Sequence, residues 1–270
     1  MQNTRRLINA GLLLTICATL APLQAGLIGV TPTNVIRIDP STGAGTLIGP
    51  SGLNTTLSLA RDPSGTLFTT TTGSTANLAT INPVTGVGTL GPAITGTGLA
   101  FLGASGLAFA PGSGVLFASI NDPSLGTQAG LYTINTGTGA ATLVGFIDGH
   151  AVSDIAFSPT GTLYGWDSAV EGLLAINTST GVGAVVSAVG GPDLRALTFD
   201  SAGNLLGGGT SLYHINTATG STTLIGALGL ADFTRGMAFT ATPEPGTSTL
   251  LGTGVVILFA TRRRWRRGRA

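Results

Sequence analysis

The chain has 270 residues, a formal net charge of +1, 43 glycines, one cysteine and no lysine. Charged residues make up 9% of the sequence, against roughly 25% in an average globular protein. The many glycines, threonines and serines favour short strands and tight turns over helices. A single cysteine excludes a disulfide framework and a multi-cysteine zinc site.

The N-terminus has the layout of a secretory signal peptide. Arg5 and Arg6 precede an apolar run that ends at Leu23, and Ala25 offers a small residue for cleavage. We therefore predict that residues 1–25 are removed on export, and that the only cysteine is removed with them.

The predicted exported body, residues 26–242, is acidic although the whole chain is not. It holds four arginines and ten acidic residues, a formal charge of −6, because the other eight arginines lie in the two ends of the chain. Nucleic-acid-binding proteins neutralise phosphates with clustered cations. The composition therefore predicts no nucleic-acid partner.

Five copies of one motif recur along the body. Each copy has an apolar strand that ends in Asp or Asn, a turn that ends in Thr-Gly, and a second strand. The Asp or Asn positions are 43, 53, 42 and 39 residues apart, at Asp39, Asn82, Asn135, Asn177 and Asn216. A period of this length is typical of propellers and solenoids.

A second hairpin alternates with the first. It is most regular from Ile155 to Gly165 and is matched at Leu59 to Phe68, Leu107 to Phe117 and Leu197 to Gly207. Two hairpins give four strands per period, which is the content of one propeller blade.

The two ends of the array are complementary fragments of one blade. Gly236 to Phe239 matches a first strand with nothing after it, and Leu27 to Val30 matches a second strand. The sequence therefore predicts an all-β, five-bladed β-propeller closed by its N- and C-terminal strands, an arrangement that removes exposed sheet edges. The alternative is an open β-solenoid, which would need capping repeats.

Charged residues gather in the loops that lead into the first strands of the last three blades, whereas the same loops of the two preceding blades carry none. These loops should share one face, near the central channel. The candidate ligand-binding residues are Asp148, His150, Asp154, Asp193, Arg195, Asp232 and Arg235. They predict a pocket for a sugar, a small anion or calcium, or else aspartates that only pair with nearby arginines and cap turns. No other cofactor is expected, and no residue is assigned a catalytic role.

The C-terminal segment, residues 243–270, has the order of a sorting signal. Pro243, Glu244 and Pro245 are followed by an uncharged apolar stretch and by six arginines among the last nine residues. This order resembles the signal of PEP-CTERM proteins, and the resemblance implies processing by an exosortase-type membrane enzyme in bacteria that make extracellular polysaccharide. The apolar stretch predicts a transmembrane helix whose arginines stay in the cytoplasm. We expect an inner-membrane-anchored precursor that is then released or displayed at the cell surface.

Together these features predict an exported surface or extracellular-matrix protein of the biofilm type, whose propeller binds or scaffolds extracellular polysaccharide without catalysis. The alternative is a propeller enzyme, a polysaccharide lyase or glycoside hydrolase, which would need an acid/base pair. Its convergent candidates are His150, Asp154, Asp193 and Asp232.

Overall fold

The computed structural model describes residues 26–73, 75–96, 103–121, 129–187 and 190–240, and every helix or strand among them is a β-strand. The predicted signal peptide, the Pro243-Glu244-Pro245 motif and the predicted transmembrane segment lie outside these ranges. The described residues contain no helix with the length and apolarity needed to span a bilayer.

Within the described ranges, twenty strands form five antiparallel sheets of four strands each. The first blade joins both ends of the body: β20 (Gly236–Phe239), β1 (Leu27–Val30), β2 (Asn34–Ile38) and β3 (Gly45–Pro50). The second blade holds β4 (Ala60–Arg61), β5 (Leu67–Thr70), β6 (Asn77–Ile81) and β7 (Gly88–Ala93). The third holds β8 (Gly106–Phe109), β9 (Leu116–Asn121), β10 (Ala129–Ile134) and β11 (Ala141–Ile147). The fourth holds β12 (Val152–Phe157), β13 (Leu163–Asp167), β14 (Gly172–Ile176) and β15 (Gly183–Val185). The fifth holds β16 (Ala196–Phe199), β17 (Leu205–Gly208), β18 (Ser211–Ile215) and β19 (Thr222–Ala227).

The ring closes through the chain ends. β20 pairs with β1 along its whole length, with Leu27 opposite Phe239 and Val30 opposite Gly236. The first strands of the five blades, β20, β4, β8, β12 and β16, each contact the next in a closed circle. The predicted five-bladed propeller is therefore confirmed, and the open solenoid is wrong.

The repeated Asp or Asn builds the turn between the third and fourth strands of every blade. In the first blade, Asp39 Oδ1 accepts the N–H of Ser41 at 2.8 Å, and the Asp39 carbonyl accepts the N–H of Gly43 at 2.8 Å. Gly43 has a φ of 78°, a conformation that residues with a Cβ rarely adopt. The same side-chain bond recurs at Asn82, Asn135, Asn177 and Asn216. This local chemistry explains the shared Asx-x-x-Thr-Gly pattern.

The hydrophobic core consists of five clusters, one at each boundary between neighbouring blades. Trp166 of β13, for example, is buried with Leu194 and Leu205 between the fourth and fifth blades. Each blade is thus held mainly by the faces of its two neighbours, and the loops between blades are free to carry polar residues.

Candidate functional site

Two arginines occupy equivalent positions at the same end of neighbouring first strands. Arg195 immediately precedes β16 and donates its backbone N–H to the carbonyl of Gly208 at 2.8 Å. Arg235 immediately precedes β20 and donates its backbone N–H to the carbonyl of Val30 at 2.8 Å. Gly208 and Val30 each end the second strand of their blade. The repeat therefore places both arginine side chains on one rim of the ring, on adjacent blades.

A single aromatic ring joins these two arginines. The guanidinium carbon of Arg195 lies 5.2 Å from the centroid of the Phe233 ring, and that of Arg235 lies 4.8 Å from it. A cation over an aromatic face gains about 0.5–1 kcal/mol at exposed sites and about 2 kcal/mol when it is desolvated. Phe233 thus offsets part of the repulsion between two like charges. Arg195, Phe233 and Arg235 are termed the arginine–phenylalanine cluster.

Within this cluster, Arg195 is paired with an acid. Its Nε lies 3.1 Å from Oδ1 of Asp193, and its Nη2 lies 3.2 Å from Oδ2. The two side chains are 42% and 59% exposed, so water screens the pair and it contributes at most about 1 kcal/mol of stability. An external anion can therefore replace Asp193 as the partner of Arg195 with little loss of folding free energy.

Arg235 is less well satisfied than Arg195. Its Nε is buried and has no hydrogen-bond acceptor among the described residues. Burial lowers the pKa of the Arg235 guanidinium, the positive charge of Arg195 lowers it further, and Asp232 opposes both effects. An anion that reached this guanidinium would offset the cost of burying its charge and gain a charge-assisted hydrogen bond.

Asp154 lies inside the ring rather than on the rim. The side chain is fully buried, and its carboxylate accepts the N–H of Leu197 at 2.6 Å and the N–H of Ile155 at 2.9 Å. Burial raises the pKa of the Asp154 carboxyl well above its ordinary value of 3.8, while hydrogen bonds from the backbones of Leu197, Ile155 and Leu107 oppose the shift. These three residues belong to β16, β12 and β8, so one carboxylate links the first strands of three consecutive blades.

His150 pairs with an acid of its own blade. Its Nδ1 lies 2.6 Å from Oδ2 of Asp167, whose side chain is fully buried, while the His150 side chain is 18% exposed. The other carboxylate oxygen of Asp167 accepts the N–H of Ala169 at 2.8 Å. Asp148 is exposed in the turn that follows β11.

The structure therefore divides the seven candidate residues among three places. The rim holds Asp193, Arg195, Asp232 and Arg235, the ring interior holds Asp154, and the turn before β12 holds Asp148 and His150. Across the ranges that the structure describes, no group of three or more His, Cys, Asp or Glu side chains is placed to hold a metal ion.

The sequence did not predict the roles of Phe233 and Asp167. Phe233 has no equivalent in the repeat, and only its position two residues before Arg235 could have indicated a contact between an aromatic ring and a guanidinium. Asp167 faces the start of β12 because Val152 pairs with Asp167 in the β12–β13 ladder. Alignment of the predicted hairpin strands could have found this proximity to His150.

A groove of about 310 Å³ opens at the opposite end of the fourth and fifth blades. Its walls include Tyr164 and Phe199, whose ring centroids are 5.8 Å apart, and the side chains of Ser158, Thr160 and Thr217. None of the seven candidate residues lines this groove.

The fold is shared with solved structures of low sequence identity. It is similar to a chain of a nidogen–laminin complex (11% identity, TM-score 0.56), with 81% of this chain and 99% of that chain covered. It is also similar to a putative gluconolactonase (15% identity, TM-score 0.52), with 81% and 86% covered. A protein of unknown function from Bacteroides thetaiotaomicron is similar as well (14% identity, TM-score 0.52), with 78% and 61% covered. These likenesses establish the fold alone. No protein-family model and no curated protein matches the sequence.

Proposed function

We propose that this propeller is a non-catalytic binding module for acidic polysaccharide outside the cell, and that the arginine–phenylalanine cluster binds the carboxylate of a uronic acid. The observation that carries the proposal is Arg235, whose buried Nε lacks an acceptor among the described residues while a second guanidinium lies over the same ring. A planar carboxylate matches the two parallel N–H donors that a guanidinium offers.

The setting of the cluster favours a short, local contact with the polymer. The body is acidic overall, so a polyanion is repelled by most of its surface and attracted where two arginines meet. Asp193 and Asp232 compete for the same guanidiniums. We therefore expect modest affinity that decreases as salt concentration rises.

The placement of the acid/base candidates supports binding over catalysis. His150 is held by Asp167, Asp193 by Arg195, and Asp154 by backbone N–H groups. A lyase or glycosidase would need two such groups facing one substrate position.

Calorimetric titration of residues 26–240 tests the binding site. We expect polygalacturonate to bind and neutral dextran not to bind. Arg235→Ala should weaken binding roughly 5- to 150-fold, because loss of a charge-assisted hydrogen bond costs about 1–3 kcal/mol.

The matched control is Arg37→Ala, which removes the same charge from an exposed position on β2. The control should bind as the wild type does. An equal loss in both variants would mean that only net charge matters, and unchanged binding by Arg235→Ala would retire the site.

We further propose that the chain is exported and sorted through Pro243-Glu244-Pro245 and the segment that follows, on the strength of the resemblance of this segment to PEP-CTERM signals. Intact-mass measurement of protein released from an exosortase-containing host should then show a chain that lacks residues 1–25 and has lost its arginine tail. Released protein that retains the full tail would contradict this sorting route.

A further inference from the structure

The outermost strand of every blade presents an uncharged edge with an exposed aliphatic side chain. The outer strands β3, β7, β11, β15 and β19 contain no charged residue. One exposed residue occupies the same position in each. These perimeter residues are Leu47 (57% exposed), Leu90 (61%), Leu143 (43%), Val185 (51%) and Leu224 (59%).

The backbone at the perimeter residues points away from the blade. In an antiparallel ladder, alternate residues direct their N–H and C=O groups to the partner strand. The N–H of Asp39 bonds to the carbonyl of Ala44, so Thr46 also faces β2 and Leu47 faces outward. No turn or loop of the described chain accepts the N–H of Leu47. Pairing registers give the same alternation in the other four blades.

These edges are only partly protected against pairing with another strand, and they carry no charge. Natural edge strands are often protected by lysines, inward-facing charges or bulges. Here an irregularity lies just beyond each perimeter residue: β3, β7, β11 and β19 have a β-bulge there, and beyond Val185 of β15 the carbonyl of Leu173 accepts the N–H groups of both Val186 and Ser187. At the start of three outer strands, the outward N–H groups of Gly45, Gly88 and Ala141 already bond to loops. β3 and β7 also contain Pro50 and Pro92. The free edge in each blade is consequently short, and it carries no charge to disfavour a second strand.

We propose that the perimeter is a self-association surface on which outer strands of two copies of this chain pair side by side. A strand edge is complemented by another strand edge, and every copy carries five. Charge favours a second copy at this place, because none of the described acidic residues lies in an outer strand and only Asp39 and Asp148 lie in turns that flank one. Two acidic bodies can therefore approach through the middle of their outer strands with few carboxylates close to the contact. This inference goes beyond the proposed polysaccharide site and does not depend on it.

Each contact should be weak, because a short edge buries less than the roughly 1,200 Å² of a standard interface. Each molecule nevertheless has five such edges, so copies that are concentrated on a surface can form a lateral network. The high effective concentration there compensates for the weak affinity of each contact.

Sedimentation velocity of residues 26–240 over a wide concentration range tests the proposal. This segment carries all twenty strands and closes its own ring. We expect the weight-average sedimentation coefficient to rise with concentration. A perimeter variant should lose this rise, with lysine replacing Leu47, Leu90, Leu143, Val185 and Leu224.

A control variant carries five lysines at exposed positions of the hairpins between first and second strands, Ser64, Ser113, Thr160, Ser201 and Ala202. Both variants change the net charge equally, so the control should associate as the wild type does. Association by the perimeter variant, or a wild-type body that stays monomeric at every concentration, would overturn the proposal.

Amide hydrogen exchange on the wild type gives a second readout that needs no variant. The N–H of Leu47 and its equivalents should exchange more slowly at high concentration, while that of Thr46, already within the ladder, should not change. If the exchange of the perimeter amides does not slow at high concentration, the proposal is also overturned.

Discussion

Gly181 and Gly145 meet backbone to backbone across the boundary between the fourth and third blades. A Cβ on Gly181 would lie 2.6 Å from the carbonyl carbon of Gly145, and a Cβ on Gly145 would overlap the carbonyl oxygen of Thr180. The same contact joins Gly43 to Gly226 and Gly86 to Gly49. The turn that the Asx side chain stabilises therefore also packs against the outer strand of the preceding blade.

This contact predicts a large effect for a small substitution. Gly181 has a φ of 80°, so Gly181→Ala adds a left-handed conformation that costs about 1–2 kcal/mol to an overpacked contact that costs about 1–3 kcal/mol. We expect the free energy of unfolding to fall by roughly 2–5 kcal/mol in urea titrations.

Gly161→Ala separates the two contributions. Gly161 lies in a hairpin turn of the same blade with a φ of 91°, and an added Cβ would have nothing within 4 Å. Only the conformational part, about 1–2 kcal/mol, should be lost there. Equal losses at the two glycines would show that the contact between blades contributes nothing.

The number of blades and the closure of the ring were accessible from the sequence because they leave local signatures. An Asx turn requires Asp or Asn at its start and glycine at its end, so five copies could be counted at Asp39, Asn82, Asn135, Asn177 and Asn216. The complementary fragments at the two ends then implied that β20 pairs with β1.

The arginine–phenylalanine cluster was only partly accessible. Equivalent repeat positions predicted that Arg195 and Arg235 share a rim. The ring of Phe233 between them depends on how one irregular loop packs, which no periodic pattern specifies. The inward placement of Asp154 likewise depends on a shift in pairing between Val152 and Asp154, and such a bulge has no signature in this sequence.

Asp154 predicts a pH dependence with a definite sign. Because burial raises its folded-state pKa above 3.8, the folded protein binds this proton more tightly than the unfolded chain does. The stability that the proton contributes is complete below about pH 3.8 and is lost as the pH rises through the folded-state pKa.

Asp154→Asn removes this titration. We therefore expect the stability of the wild type relative to Asp154→Asn to fall as the pH rises above about 4, measured by thermal melts at a series of pH values. Asp193→Asn, which removes a carboxylate from the exposed rim, is the control for net charge. A difference that stays flat or grows with pH would mean that the backbone N–H groups dominate and hold Asp154 ionised.

The closure of the ring predicts that the last strand is indispensable. In β20, Met237 is 1% exposed and Ala238 is 4% exposed, and they belong to the two different core clusters on either side of the first blade. A body that ends at Thr234 lacks β20, so both clusters open and the edge of β1 is left unpaired. Loss of one buried methionine side chain alone costs about 2–5 kcal/mol, a large share of the roughly 5–15 kcal/mol that stabilises a domain.

We expect this truncated body to lose cooperative thermal unfolding, while a body that ends at Thr240 retains it. Matching melting curves for the two bodies would show that the packing of β20 in these two clusters contributes little and that the remaining strands fold as an open array.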